Sequence, residues 1–145
     1  MRALLQRVSS ASVSVGGEAI AGIDRGLVVF LGVFPDDTTE ASEWLVEKLL
    51  GLRIFADADK PMNRSVVDAG GGVLVVSQFT LAADVSRGKR PGFSTAASPD
   101  LAERLYEDFL TRLRARHAPV AAGRFGADMQ VALVNDGPVT FLLER

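Results

Sequence analysis

Between residues 3 and 15 apolar and polar side chains largely alternate, Ser12 and Ser14 standing against Val13 and Val15. A period of two sustained over this length belongs to a half-buried strand, because a helix would scatter both kinds of residue over all its faces. The N-terminal part of the chain is thereby committed to a sheet. Gly16-Gly17 follows as a hairpin turn and residues 18–23 as the returning strand. Leu27-Val28-Val29-Phe30-Leu31-Gly32-Val33, set between Gly26 and Pro35, is too short for a typical helix and rich in β-branched residues, which predicts a central strand.

Two segments carry the helical period. Asp37-Thr38-Thr39-Glu40 has the spacing of a capping box, with Asp37 in the place of the usual Ser or Thr. After it Ala41, Trp44, Leu45, Lys48, Leu49 and Leu52 recur at helical intervals, predicting a first helix over about residues 38–51. Ser98-Pro99-Asp100 reads as an N-cap followed by proline at the first helical position. Leu101, Leu105, Phe109 and Leu113 then form a buried stripe that ends near His117, before Pro119. Between the helices, Gly70-Gly71-Gly72 predicts a turn and residues 73–79 a second buried strand. The tail offers two apolar segments, 129–134 and 139–143, split by Asn135-Asp136-Gly137-Pro138. The 145 residues, 48% hydrophobic and 23% charged, are about the size of one globular domain. The order of elements predicts a single α+β domain over residues 1–145, a mainly antiparallel sheet or partly closed β-barrel with two main helices.

Composition then removes whole classes of chemistry. There is no cysteine, so disulfides, thiolate nucleophiles and cysteine metal sites are out. The single histidine, His117, must itself be at the site if any histidine is, and its place near the end of a predicted helix argues against that. Neither a metal nor another cofactor is expected. No apolar stretch reaches the ~18 residues of a membrane span or the pattern of a signal peptide, which predicts a cytoplasmic protein. A net charge of −2 argues against non-specific coating of nucleic acid and leaves room for a local basic patch.

Two segments break local rules. In Ser77-Gln78-Phe79-Thr80-Leu81-Ala82 an apolar strand ends abruptly in side chains able to hydrogen-bond. They serve either an ordinary turn or a site, since a strand end presents hydroxyls and backbone N–H groups well to a ligand. In Asn135-Asp136-Gly137-Pro138-Val139-Thr140 a proline sits deep in an apolar pair of segments. It cannot donate to a ladder, so the segment is a hairpin turn or an edge. Arg87-Gly88-Lys89-Arg90 is a basic loop that either straddles phosphates or is simply solvated. Arg7, a charge within a strand, either faces solvent or reaches under a site on a neighbouring loop. The acid pairs Asp36-Asp37 and Asp57/Asp59 have no partner histidine and read as turn residues.

Together these segments are more specific than any alone. Gln6-Arg7-Val8 with Ala11-Ser12-Val13, Lys60-Pro61-Met62-Asn63, Ser77-Gln78-Phe79-Thr80-Leu81 and Asn135-Asp136-Gly137-Pro138-Val139-Thr140 resemble, in order and spacing, the D-aminoacyl-tRNA deacylases, also called D-tyrosyl-tRNA deacylases. The resemblance covers essentially the whole chain; Pro61 stands where many members lack it.

The resemblance implies a homodimeric, cytoplasmic, metal-free enzyme that hydrolyses the ester joining a D-amino acid to the 3′ acceptor end of tRNA. It implies active sites at the subunit interface and a cis Gly137-Pro138 that enters the partner's site and reads chirality. Ser77, Gln78, Phe79 and Thr80 would form the catalytic pocket floor and Arg7 would assist substrate selection; for such a substrate the charge of the loop, not the resemblance, makes Arg87, Lys89 and Arg90 the expected tRNA contacts. An aminoacyl ester is already activated, so its hydrolysis needs positioning and oxyanion stabilisation more than a strong base. Thr80 as nucleophile has no visible base partner, and assistance by the ribose 2′-hydroxyl is the other route. A non-catalytic RNA-end binding module and a structural dimerisation domain are the competing readings; release of free amino acid separates them from an enzyme.

Overall fold

The alternating N-terminal segment is the strand around which the sheet assembles. In a computed structural model, which describes residues 1–145, β1 (Arg2–Val15) turns at Gly16-Gly17 into β2 (Glu18–Ile23). Both glycines have positive φ, 59° and 84°, which a two-residue hairpin turn requires and glycine adopts without a steric penalty. β3 (Gly26–Gly32) pairs antiparallel with the first half of β1, from Arg2↔Gly32 to Val8↔Gly26, and β2 pairs with β1 beyond Ala11. β6 (Gln130–Glu144) runs antiparallel along β1 from Arg2 to Ser14. From β3 the sheet continues in parallel through β4 (Gly72–Ser77) to β5 (Val120–Ala122).

The strand order is β2-β1-β3-β4-β5 with β6 on β1, and β2 comes round against β4 and β5, so the sheet is a nearly closed barrel. The expected α+β architecture with two main helices is what forms. Its parallel portion was not anticipated, and it follows from connectivity: α1 (Thr39–Gly51) and α2 (Pro99–Arg116) occupy the β3–β4 and β4–β5 crossovers, the kind of connection parallel neighbours need.

Both helices pack against the sheet and each other. Leu5, Leu27, Val29, Val73 and Val75 of the strands meet Leu45, Leu49, Leu105, Phe109 and Leu113 of the helices in the main core. A smaller cluster of Val8, Ala11, Val13, Val28, Leu74 and Val76 lies on the other side of the sheet. β1 gives Ala3 and Leu5 to one core and, on its opposite face, Val8 to the other; Ala11 and Val13 join Val8 because the alternation slips between Val8 and Ala11, where the register with β6 also shifts.

The predicted second helix matches closely: Ser98 Oγ accepts from the Leu101 N–H at 3.4 Å and Pro99 opens the helix. His117 lies just past its end, with Nε2 2.8 Å from the Gly71 carbonyl, so the only histidine ties α2 to the glycine turn. The first helix starts differently. Asp37 does not cap it, because its carboxylate is engaged by the Phe34 N–H at 2.7 Å and by the Met1 ammonium; Thr38 is the N-cap, without a side-chain cap bond. The tail is one continuous strand, not two segments of a hairpin, because 130–134 and 140–144 pair with the same strand β1 in the same direction. The short β5 was not foreseen.

Candidate active site

The apolar strand β4 stops at Ser77, and the chain turns through a single 3₁₀ turn, Phe79–Ala82. Two contacts seat that turn on the end of β3. The Gln78 N–H donates to the Leu31 carbonyl at 2.8 Å. Gly32 supplies the clearance, since a Cβ there would stand 3.0 Å from Leu81 Cβ and 3.1 Å from the Gln78 carbonyl oxygen. Opening the turn, the N–H groups of Phe79 and Thr80 have no acceptor within the chain, as the geometry of a helix start dictates. The Gln78 carboxamide donates to Thr80 Oγ1. In either orientation of that carboxamide, Thr80 gains a positioned hydroxyl and no base able to remove its proton.

Beside the turn lies a cleft of about 560 Å³, lined by Ser77, Gln78 and Phe79 and by Phe93, Ala97, Tyr106, Phe125, Met129 and Val131 among others. Phe79 and Phe93 stand at 4.9 Å between ring centroids, tilted by 51°, and stay 59% and 42% exposed. Exposed aromatic faces of this size suit the planar face of a base. Tyr106 is buried, donates to the Val75 carbonyl at 3.1 Å and packs beside Phe125; burial pushes its phenol above the ordinary value, so it remains a donor.

Between Thr80 and Phe93 the chain makes a small hairpin closed by the Asp84↔Gly92 bridge. Arg87, Lys89 and Arg90 sit at its tip, all exposed and without an ion pair within the chain. The cations are thus held next to the cleft but outside it.

The second motif forms an arch in β6. Asn135 pairs with Val8 and Thr140 with Gln6, so the single residue Arg7 stands opposite four, 136 to 139. This insertion accounts for the register break, as a bulge in an edge strand does. Gly137 and Pro138, joined by a cis peptide bond, are exposed on the arch. Arg7 does not face solvent: its side chain is 13% exposed, its Nε donates to the Asp136 carbonyl at 2.9 Å and its guanidinium to the Ile54 carbonyl.

Of the residues singled out in the sequence, Ser77, Gln78, Phe79 and Thr80 come together, and Arg7 joins Gly137 and Pro138. The two groups do not meet within one chain. Arg2 of β1 reaches the Leu81 carbonyl and Arg7 reaches the arch. Five residues of strand separate these anchors, about 16 Å at ~3.3 Å per residue. Phe93, Tyr106, Phe125 and Met129 escaped the sequence reading; Tyr106 sits within a helix stripe, and the others lie on irregular segments with no period to mark them. Asp57 and Asp59 are turn residues as expected, with Asp57 Oδ1 accepting the Asp59 and Lys60 N–H groups at 2.9 and 2.8 Å.

A model of the D-Tyr-tRNA(Tyr) deacylase family matches residues 4–144. The D-aminoacyl-tRNA deacylases of Pseudomonas fluorescens and Pseudomonas putida are 57% and 56% identical to this chain over 144 residues, covering 99% of each protein. A solved structure of a c-Myc DNA unwinding element binding protein is 45% identical with a TM-score of 0.95, covering 100% of this chain and 99% of its own. Another, of "a probable eukaryotic D-amino acid tRNA deacylase", shares the fold at a TM-score of 0.83 and 22% identity, covering 98% and 97%.

Proposed function

Because the chain belongs to the D-Tyr-tRNA(Tyr) deacylase family, we propose that it hydrolyses the ester joining a D-amino acid to the 3′ end of tRNA, releasing free amino acid and tRNA. It acts as a proofreading ester hydrolase, and residues 1–145 act as one domain in the cytoplasm. No helix is long and apolar enough to cross a membrane.

The cleft takes the terminal adenosine, and the Ser77–Thr80 segment faces the ester. The free N–H groups of Phe79 and Thr80 serve the carbonyl oxygen as charge develops on it, a contribution that depends on donors fixed beforehand. Water is the nucleophile, organised by the ribose 2′-hydroxyl next to the scissile bond. Thr80 positions; the absence of any base near its hydroxyl is the observation that supports this route over a threonyl ester.

The observation that carries the reading is that the two motif groups are distant within one chain. A second copy resolves it: Gly137 and Pro138 of one protomer enter the cleft of the other. A row of apolar side chains supports this association. Phe30, Leu4 and Leu142 lie in register across β3, β1 and β6, the first two half-buried and Leu142 49% exposed. Surfaces of this kind are covered in oligomers. Arch carbonyls facing the substrate α-carbon exclude an L side chain and leave room for a D one. Glycine has nothing to exclude, so glycyl-tRNA is hydrolysed as well. The exposed cations Arg87, Lys89 and Arg90 hold acceptor-end phosphates.

The test is single-turnover deacylation of matched D- and L-aminoacyl-tRNA without added metal. Free D-amino acid with intact L-ester is expected; no release from either would return the protein to an RNA-end binder. Mixing a Phe79→Ala protein with a Pro138→Gly protein tests the shared site: random exchange between dimers gives about a quarter of all sites both an intact cleft and an intact arch, so the L-ester hydrolysis of the Pro138→Gly protein should fall by about half.

A further inference from the structure

Asn135 is the one residue of the C-terminal motif whose side chain spans the foot of the arch. Its Oδ1 accepts from the Val139 N–H at 3.0 Å, and its Nδ2 donates to the Val139 carbonyl at 2.9 Å and to the Arg7 carbonyl at 3.2 Å. Four residues of β6 face one residue of β1 here, so the backbone of Val139 has no ladder partner in register. The carboxamide replaces that partner. It offers one acceptor and two donors in a plane, as a peptide group offers its own pair, and no other side chain of this length does so.

The arch has two feet. Arg7 holds the near one through the Asp136 carbonyl, and Asn135 holds the far one through Val139. Val139 is itself anchored, its side chain 6% exposed in the main core. Removing the carboxamide therefore leaves the fold in place and frees the exposed segment between the feet. Resting on the reading that Gly137 and Pro138 exclude L substrates, we propose that Asn135 is a positioning residue that sets how far this pair projects, and so sets the discrimination between D- and L-esters.

The experiment compares Asn135→Ala, Asn135→Asp and Pro138→Gly proteins in single-turnover deacylation of D- and L-aminoacyl-tRNA, with thermal melting of each. Aspartate matches asparagine in shape and keeps an acceptor for the Val139 N–H, but when ionised it loses both donors. Both Asn135 variants are expected to remain folded and to lose about tenfold or more of the D-over-L rate ratio, the size of effect that one or two charge-free hydrogen bonds can produce. The KM for the D-ester should hold, because the adenosine cleft is untouched. A wild-type rate ratio in either folded Asn135 variant, alongside a reduced ratio in Pro138→Gly, overturns the role of Asn135 alone. A wild-type ratio in Pro138→Gly overturns the reading of the arch, and this proposal with it.

Discussion

Adding a single methyl group at Gly137 tests the arch most directly. An alanine Cβ there would lie 2.0 Å from the Val139 backbone nitrogen and 2.9 Å from Val139 Cγ2. Ordinary contact begins at 3.4 Å, so the two atoms must separate by 3.4 − 2.0 = 1.4 Å. Val139 is the less able to yield, with its N–H held by Asn135 and its side chain in the core. The exposed limb carrying Gly137 and Pro138 moves instead. A shift of that size takes a 2.9 Å hydrogen bond, such as Arg7 to the Asp136 carbonyl, outside bonding range. The lost bond costs about 1 kcal/mol, and residual crowding adds about 1–3 kcal/mol. At roughly 3–4 °C per kcal/mol for a domain of this length, Gly137→Ala melts about 6–16 °C lower and remains folded at room temperature. Selectivity suffers more, because a misplacement of about 1 Å can be worth ~100-fold in rate. The D-over-L ratio in single-turnover deacylation should fall by about that factor, through hydrolysis of the L-ester that the displaced arch admits. A Gly137→Ala protein with wild-type melting and a wild-type ratio would refute the reasoning, since the methyl group would then fit and the arch would not read the substrate.

Thr80→Ala should stay within about tenfold of wild type, whereas a terminal 2′-deoxyadenosine should cost more than ~100-fold; trapping a threonyl ester would reverse the assignment. Replacing Arg87, Lys89 and Arg90 together by glutamine should flatten the salt dependence of tRNA binding by about two logarithmic units per decade, at ~0.7 per single-stranded phosphate contact, and leave the D-over-L ratio alone. An unchanged slope means the hairpin is merely solvated. The Asp57 carboxyl is held below its ordinary value by the Asn63 carboxamide and by the Lys60 and Asp59 N–H groups. Because the folded value is the lower one, its support of the 57–63 turn is complete above the ordinary midpoint of about 3.9 and is lost as pH falls through the folded value. NMR titration of the Lys60 amide should show its transition below that midpoint, and a transition at or above it contradicts the hydrogen-bonded carboxylate.

The elements read best in the sequence are those whose determinants are local. The β1–β2 hairpin has alternation and a Gly-Gly turn, and α2 has its cap, its proline and its stripe, so both appear within a residue or so of expectation. Asp37 misled because the spacing of a capping box says nothing of a competing donor far away in sequence, here the Met1 ammonium. The arch was harder still: Asn, Asp, Gly and Pro in succession favour a hairpin locally, and only pairing of both flanks with β1 makes the strand continuous. At the site, the turn-forming motif was legible because an apolar strand breaks off there. The cleft wall was not, since Phe93, Phe125 and Met129 meet only through the closure of the sheet.

β6 is an outer strand of fifteen residues with β1 as its sole neighbour, and long straight edges of this kind recruit strands from other molecules. The arch divides that edge into two short runs and puts between them a residue with no N–H to offer. An incoming strand finds its ladder interrupted after a few bonds on either side. The feature that places Gly137 and Pro138 on the surface thus also shortens the backbone runs that edge-to-edge pairing between molecules would use.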